Sequence, residues 1–257
     1  MMKALFSQIN LIWLAISFFT RLPVPNKIHF SQGNLNHASR YFTLVGWIVG
    51  ALCTLAFIAS SLIFDPSIAI VISMGFGFLL TGGFHEDGLA DTADGFGGGW
   101  TQQQKLNIMK DSRLGSYGAL AIWFFLTLKY LSLSHFASTA SIAISILIAH
   151  PLSRLASTLV IQFLPYVSDT EHSKSKPIAH QPSKLDAMIA MVITIPVFIF
   201  PFEHALWLIL TISLTTFIFC AFMKQQIMGF TGDTLGATQQ VNELAIYLTL
   251  LAKGFNL

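Results

Sequence analysis

Long apolar runs constrain this chain more than any other feature of its sequence. Residues 41–64 contain no Asp, Glu, Lys or Arg, and the whole chain is 54% hydrophobic but only 10% charged. Soluble domains carry about 25% charged residues, and a water-soluble fold of this length could not bury so many apolar side chains. Because a helix of about 20 apolar residues spans a bilayer, the sequence predicts a membrane protein.

The apolar runs also indicate how many helices cross the bilayer. A spanning segment must pair its backbone polar groups internally, so each run is expected to be a helix. The better candidates are residues 41–64, 67–84, 116–136, 141–165, 187–200 and 204–223. The shorter runs 5–20 and 241–252 either span, tilt or lie in the interface. We therefore expect an all-α fold, a polytopic membrane helix bundle with about six to eight membrane helices, in a single integral membrane catalytic domain, residues 1–257.

Basic residues lie on one side of this layout. The connections 21–40, 85–113, 166–186 and 224–240 contain Arg21, Lys27, Arg40, Lys105, Lys110, Arg113, Lys174, Lys176, Lys184 and Lys224, whereas the opposite connections contain no Lys or Arg. The positive-inside rule places the basic side in the cytoplasm. The net charge of +2 is too small to indicate nucleic acid. The expected partner is the lipid bilayer, and a homo-oligomer is left open.

Acids and glycines are concentrated in residues 82–99. Asp87, Asp91 and Asp94 are spaced so that they lie within about 60° of one another on a helix. Three carboxylates on one stripe repel one another unless a cation lies between them, and oxygen ligands favour Mg²⁺ or Mn²⁺. A solvated loop would explain the polarity but not the spacing. His85 stands beside the acids and is a further candidate.

The glycines of this segment predict a binding role as well. They are Gly82, Gly83, Gly88, Gly95, Gly97, Gly98 and Gly99. Residues without a side chain allow the backbone to approach a bulky phosphate closely. We therefore expect metal and phosphate binding here.

Two further clusters lie on the same predicted side. Lys110 and Arg113 are one turn apart and could clamp phosphate oxygens, and Asp111 could bind the metal or hold Arg113. A basic flank of the next helix is the alternative. Asp233, between glycines in residues 229–237, could complete the metal shell or belong to an ordinary turn.

Charged residues within the apolar runs need a separate explanation. Arg154 lies midway along the run 141–165, where a charge costs about 2.5–3.5 kcal/mol, so it predicts a functional intramembrane arginine. Alternatively, the helix ends near His150 and Arg154 lies at the interface. Lys129 is expected to reach the interface along its own stem. Arg21 is either a topology charge or part of the site.

Carboxylates, basic clamps and glycine loops together favour phosphoryl transfer, in which the protein mainly positions groups and neutralises charge. The chain has no Gly-x-x-x-x-Gly-Lys-Ser/Thr and no Gly-x-Ser-x-Gly motif, so a P-loop enzyme is excluded. A membrane enzyme with these residues would transfer a phosphate-linked group from a nucleotide-activated donor to an alcohol.

At this point a family resemblance emerges. The segment Gly82-Gly83-Phe84-His85-Glu86-Asp87-Gly88-Leu89-Ala90-Asp91-Thr92-Ala93-Asp94-Gly95 resembles the signature of the cobalamin synthase (adenosylcobinamide-GDP ribazoletransferase) family. Residues 18–25, 109–115 and 229–237 resemble the family in order and spacing. Family members usually carry an apolar residue where Glu86 stands, so this chain departs from the pattern there, and Glu86 becomes a candidate extra metal ligand.

The resemblance implies a reaction, a cofactor and a location. Adenosylcobinamide-GDP and α-ribazole, or its 5′-phosphate, would give adenosylcobalamin, or its 5′-phosphate, and GMP. The family requires Mg²⁺ and resides in the bacterial inner membrane. Asp87, Asp91 and Asp94 would bind Mg²⁺ with help from Asp111 or Asp233, while Asp94 or Asp233 would accept the hydroxyl proton. The candidates that neutralise phosphate charge are Lys110, Arg113 and Arg154, and those for substrate binding are Gly82, Gly83, His85, Gly97, Gly98 and Arg21.

Two other readings remain open at the level of sequence. A CDP-alcohol phosphotransferase-like lipid enzyme also uses Asp-Gly-x-x-Ala on membrane helices, but it expects Arg where Asp91 stands. A divalent-cation transporter would also place acids in a membrane bundle, although its acids would be expected in helix middles.

Overall fold

Helices account for all the regular structure in the part of the chain that is described. A computed structural model describes residues 2–168 and 183–256. Within them, residues 166 and 230 form one isolated β-bridge. The helices are α1 (Met2–Phe19), α2 (Gln32–Ala38), α3 (Phe42–Ser61), α4 (Pro66–Thr81), α5 (Phe84–Gly98), α6 (Gln102–Met109), α7 (Ser116–Ser134), α8 (Thr139–Phe163), α9 (Lys184–Thr194), α10 (Ala205–Ile227) and α11 (Gly232–Ala252).

The prediction of an all-α polytopic bundle is confirmed, with fewer full spans than expected. By length and composition, four described stretches can cross a membrane: Gly33–Ser61, Ser116–Ser134, Thr139–Phe163 and Phe202–Ile227. A fifth is obtained if α4 and α5, which are bent by 88° at their junction, count as one span. The short run 5–20 is not among them, because its apolar helix covers only Phe6–Phe19, and the expected span 187–200 is not among them either. The second breaks because α9 ends at Thr194, where Pro196 favours a short 3₁₀ segment, Ile195–Ile199.

Close helix packing builds the centre of the bundle. Helix α3 runs against α8, and a Cβ at Gly46 or Gly50 would lie 2.6 Å from the α8 backbone at Pro151 or Leu147. Small residues at such contacts let two membrane helices approach closely. Helix α8 continues through Pro151 to Phe163. The alternative in which the helix ended near His150 is therefore wrong.

The predicted basic side corresponds to one end of the bundle. There, Arg21 at the end of α1 donates its backbone N–H to Leu80 O at 2.7 Å. On α6, Gln102 donates to Ile227 O at the end of α10 at 2.8 Å, and Lys105 donates to Gln226 at 2.5 Å. On this side, which we call the basic end, the end of α1 thus meets the end of α4, and the end of α10 meets α6. Lys174 and Lys176 lie outside the described residues.

The opposite end has its own contacts. His204 Nε2 lies 3.1 Å from Lys253 O, and the Lys253 ammonium lies 3.5 Å from the centre of the Trp207 ring. Lys253 is therefore a basic residue at the end where the connections around Asp65, Ala137 and Glu203 have none, and the face of the Trp207 ring partly compensates its charge.

Candidate functional site

The acidic segment begins at a sharp break between α4 and α5. Gly82 and Gly83 have φ angles of 70° and 67°, a left-handed conformation that residues with a side chain adopt at a cost. The Arg21 guanidinium lies against Gly82, where a Cβ would be 2.6 Å from Arg21 Nε. Gly82 is therefore covered by Arg21, whereas nothing lies within 4 Å of a Cβ at Gly83.

Helix α5 carries the acids on one stripe, as predicted, but they occupy different environments. Asp87 is exposed, Asp91 is half-buried and Asp94 is buried. The Asp94 carboxylate accepts 2.8 Å hydrogen bonds from the backbone N–H groups of Gly115 and Gly118. Those N–H groups belong to the start of α7, where they have no partner within the helix, and a negative charge is favoured there by the helix dipole. Asp94 therefore ties α7 to α5.

The three aspartates do not form a closed metal cage. No group of three His, Cys, Asp or Glu side chains within residues 2–168 and 183–256 is arranged to hold a metal ion. Since both oxygens of Asp94 accept backbone hydrogen bonds, its predicted roles as metal ligand and proton acceptor lose their geometric support.

Most of the predicted phosphate-binding glycines instead allow helices to pack. A Cβ at Gly88 would lie 2.7 Å from Asp233 O on α11, and one at Gly97 would lie 2.5 Å from the Tyr117 ring. Gly97 thus contacts a protein side chain rather than open space. At Gly98 the nearest atom would lie at an ordinary 3.4 Å, so Gly83 and Gly98 are the predicted substrate-binding glycines with room beside them.

Asp233 lies beside the exposed part of the stripe. It is in the first turn of α11, which Thr231 caps, and its backbone packs against Gly88, which lies between Asp87 and Asp91 in the chain. Mg²⁺ is usually held by one or two carboxylates together with substrate phosphates and water. Asp87, Asp91 and Asp233 are oxygen donors of this kind, although they are not arranged as a group of three that could hold a metal ion.

The loop before α7 contains an exposed ion pair. Arg113 Nη2 lies 2.6 Å from Asp111 Oδ2, and Asp111 also accepts the Arg113 backbone N–H at 3.1 Å. The Arg113 side chain, through its hydrogen bonds, holds the pKa of Asp111 below its ordinary value. Asp111 therefore holds Arg113, which was one of the two alternatives. Lys110, next to this pair, is exposed at the end of α6.

A buried polar network lies behind the stripe, and the sequence analysis missed it. Lys129 Nζ on α7 lies 3.0 Å from Glu243 Oε1 on α11, and their side chains are 6% and 3% exposed. Lys129 is thus paired inside the bundle. The expectation that it reaches the interface is wrong. Glu86 faces this network as well, because its Oε1 accepts from Gln240 Nε2 at 2.9 Å. The structure therefore places Glu86 on the inward face of α5, away from the exposed carboxylates with which it was predicted to bind metal.

The signal for this network was present in the sequence. Lys129 interrupts an apolar run, and a run of polar residues, Gln239, Gln240, Asn242 and Glu243, lies in another predicted membrane segment or at its edge. Charged residues inside a bundle usually pair with one another. What the sequence did not indicate is which residues face each other.

Arg154 and His85 are buried as well. Arg154 is 3% exposed, and its Nη1 donates to His150 O at 3.1 Å, while its Nε has no hydrogen-bond partner among the described residues. The prediction of a buried intramembrane arginine is confirmed in position, and its role stays a prediction. His85 is stacked on Phe19, with ring centres 6.3 Å apart, so it packs inward and not beside the exposed acids.

Two small cavities flank these residues. One has a volume of about 40 Å³ and is lined by residues that include Glu86, Lys129, His150 and Glu243. A smaller one, about 20 Å³, is lined by aromatic rings and Ser157, and Arg154 and His85 border both. A polar cavity of this size holds one or more water molecules. The larger one can therefore hydrate the buried charges.

Comparison with known proteins gives the family. The family model described as cobalamin-5-phosphate synthase matches residues 11–251. Curated proteins named adenosylcobinamide-GDP ribazoletransferase are similar along their whole length: that of Shewanella pealeana is 47% identical over 98% of this chain and 99% of the relative. The protein from Shewanella frigidimarina is 48% identical, covering 97% of each chain, and that from Vibrio parahaemolyticus is 43% identical over 95% of this chain and 93% of the relative. No solved structure matches. The chain belongs to the cobalamin-5-phosphate synthase family.

Proposed function

We propose that this protein joins adenosylcobinamide-GDP to α-ribazole or α-ribazole 5′-phosphate, giving adenosylcobalamin or its 5′-phosphate and GMP. The observation that carries the proposal is the family match over residues 11–251. Relatives named adenosylcobinamide-GDP ribazoletransferase, at 43–48% identity, support it. The exposed carboxylates at the basic end supply chemistry that suits a pyrophosphate donor.

The reaction is a substitution at phosphorus. A ribazole hydroxyl oxygen forms a bond to the phosphorus linked to cobinamide, and the bond from that phosphorus to the oxygen bridging it to GMP breaks. The hydroxyl proton passes to a carboxylate, and GMP leaves as a phosphate monoester. Asp233 is the proposed acceptor, because it is half-buried beside α5, whereas Asp94 is engaged by two backbone N–H groups.

Mg²⁺ is the proposed cofactor, and Asp87 and Asp91 would hold it. When bound, it would neutralise charge on the pyrophosphate and stabilise the leaving oxygen. The residues of the chain provide the rest: Lys110 and Arg113 supply positive charge on the exposed loop, and Arg21 supplies it at the α4–α5 break. Arg154 is buried and is proposed to organise the interior rather than to touch phosphate.

The proposed location is the bacterial inner membrane, with the carboxylates facing the cytoplasm. Lys and Arg are concentrated at the basic end, which supports this orientation through the positive-inside rule. Cysteine substitutions at exposed positions of the two ends, such as Lys110→Cys and Glu203→Cys, test it with a membrane-impermeant thiol reagent. Labelling of the Lys110 position in intact cells would contradict the orientation.

Parallel assays with two nucleotide-linked donors test the function. Purified protein in lipid vesicles is given adenosylcobinamide-GDP with α-ribazole or its 5′-phosphate, and in parallel CDP-diacylglycerol with an alcohol. We expect GMP from the first pair, dependent on Mg²⁺, and no CMP from the second. CMP release would favour the lipid enzyme, and divalent-ion uptake into the vesicles without nucleotide turnover would favour the transporter.

A further inference from the structure

A chain of side-chain hydrogen bonds connects α7 to α5 through α11. Lys129 Nζ on α7 donates to Gln240 Oε1 at 3.1 Å, and Gln240 Nε2 donates to Glu86 Oε1 at 2.9 Å. Gln240 is 2% exposed and Lys129 is 5% exposed. A polar link so deeply buried has little competition from water, so each bond constrains its partners strongly.

Lys129 determines which way the Gln240 amide points. A lysine ammonium group only donates, so Gln240 must turn its oxygen toward Lys129. The amide nitrogen is then left to donate to Glu86 on α5 and to the neighbouring Gln239. Lys129 is held in turn by Glu243 at 3.0 Å, and Glu243 also accepts from Gln239 at 2.6 Å and from Tyr247 at 3.1 Å.

The first turn of α5 depends on contacts from outside the helix, among them the stacking of His85 on Phe19 and the bond from Gln240 to Glu86. Its N-cap residue, Gly83, provides no side-chain cap, and both residues of the preceding break are glycines with positive φ. A helix start of this kind is not fixed by its own sequence, because neither capping nor a stiff connection holds it. Glu86 lies in this turn, and Asp87 follows it directly.

We propose that Gln240, oriented by Lys129, is a positioning residue for the transfer reaction: through Glu86 it fixes the first turn of α5 and thereby the place of Asp87. This inference rests on the proposed function, because Asp87 is one of the proposed binding carboxylates. It gives Glu86 a role other than metal binding, and it makes the link from Lys129 through Gln240 to Glu86 part of the site rather than a device for stability alone. A displacement of about 1 Å at a reacting centre can lower a rate about 100-fold.

Substitution of Gln240 tests the proposal against a matched control on the same helix. Q240L removes the bond to Glu86 and leaves the Lys129–Glu243 pair in place. N242L removes an equally buried amide, whose Oδ1 accepts from Thr215 on α10 at 2.7 Å and whose Nδ2 donates to Thr238 O at 2.9 Å, with no hydrogen bond to α5 among the described residues. The kcat, the KM for both substrates and the melting temperature are measured for each purified variant in lipid vesicles. We expect Q240L to lower kcat at least 10-fold and N242L to leave it within 2-fold, at similar losses of melting temperature.

A reversed pair separates positioning from simple loss of packing. Q240E places a carboxylate against the Glu86 carboxylate and should lower kcat as Q240L does. Adding E86Q restores a donor and an acceptor with the direction of the bond reversed, and Lys129 can still donate to position 240, so most of the kcat should return. Equal kcat losses in Q240L and N242L, or no recovery in the double variant, would overturn the proposal.

The wild-type measurement keeps the two proposals distinguishable. If wild-type protein releases no GMP from adenosylcobinamide-GDP, the proposed function fails. The melting temperatures of E86Q, Q240E and the double variant then still measure the coupling between positions 86 and 240. Additive changes in those melting temperatures would show that the link does not fix α5, and would overturn the positioning proposal by itself.

Discussion

Replacing Asp94 by asparagine should lower the melting temperature of the protein, and raised Mg²⁺ should not restore turnover. In the structure, Asp94 is 7% exposed and accepts 2.8 Å bonds from the N–H groups of Gly115 and Gly118. An asparagine offers one oxygen for these two donors, and its NH₂ group would face the other one. One backbone donor at the start of α7 is therefore left unpaired, and the negative charge at the helix N-terminus is lost.

The size of the effect follows from these two losses. A hydrogen bond to a charged group contributes about 1.5–3 kcal/mol, and a charge at a helix terminus about 0.3–1 kcal/mol. Asp94→Asn should thus cost about 2–4 kcal/mol of the free energy of unfolding. At about 2–4 °C per kcal/mol for a chain of this size, the melting temperature should fall by about 4–16 °C.

The assay is a thermal melt in lipid vesicles, together with turnover at several Mg²⁺ concentrations, and Asp87→Asn is the matched control. Asp87 is exposed on the same helix, so its replacement should lower turnover and leave the melting temperature within about 2 °C, the effect of a typical surface substitution. If Asp94→Asn keeps the wild-type melting temperature and regains turnover at raised Mg²⁺, Asp94 is a metal ligand and the capping interpretation is wrong.

The remaining predictions concern the packing behind the site and the exposed loop. Lys129→Met leaves Glu243 buried without its partner and should cost about 3–5 kcal/mol, whereas the double variant with Glu243→Gln should be more stable than the single one; a less stable double variant would contradict the pairing. Gly88→Ala places a methyl group against the α11 backbone, 2.7 Å from an oxygen. The resulting strain should cost about 1–3 kcal/mol of the free energy of unfolding and should lower both the melting temperature and turnover; unchanged values would contradict the close approach. The Arg113 side chain lowers the pKa of Asp111, so the pair should persist as pH falls through the ordinary aspartate range near 4 and separate below it, which NMR titration of the Asp111 carboxyl carbon can follow; titration at or above that range would contradict the ion pair.

The apolar runs predicted much of the fold because a membrane helix is specified locally. The predicted span 141–165 became Thr139–Phe163 and the span 204–223 became part of Phe202–Ile227, since length and hydropathy alone decide such segments. The run 5–20, which the sequence left open, is too short for a full span, and the expected span 187–200 is interrupted where Pro196 follows α9. The depth of a short helix depends on its neighbours, and the sequence does not state them.

The site was predictable where the chemistry depends on helical spacing. Asp87, Asp91 and Asp94 do share a stripe because α5 is a helix across all three. The partners of Asp94 come from α7, at sequence separations of 21 and 24, and no local pattern indicates such a contact. Glu86 was assigned by its place in the motif, although one helical step of about 100° turns it away from Asp87 and toward the bundle.

The glycines illustrate the same limit. Their abundance correctly indicated close approach of backbone, but the approaching group at Gly88 is another helix. A glycine in the sequence indicates that another group comes close to the backbone, but it does not identify that group. Lys129 was misjudged for a related reason, since its burial depends on Glu243, which is distant in sequence and close in space.

The most direct test of the account is GMP release by the Asp91→Asn variant. Asp91 lies in the middle of the α5 stripe and is half-buried, so the substitution removes one carboxylate charge without creating a cavity. Wild-type protein and the variant are incubated with adenosylcobinamide-GDP and α-ribazole, with Mg²⁺ and with a chelator, after thermal melts show that both are folded. The account predicts Mg²⁺-dependent GMP release by the wild type and at least a 100-fold lower rate for the variant, which corresponds to about 2.7 kcal/mol. Near-normal GMP release by a folded Asp91→Asn variant would contradict the claim that the carboxylates of α5 carry the transfer.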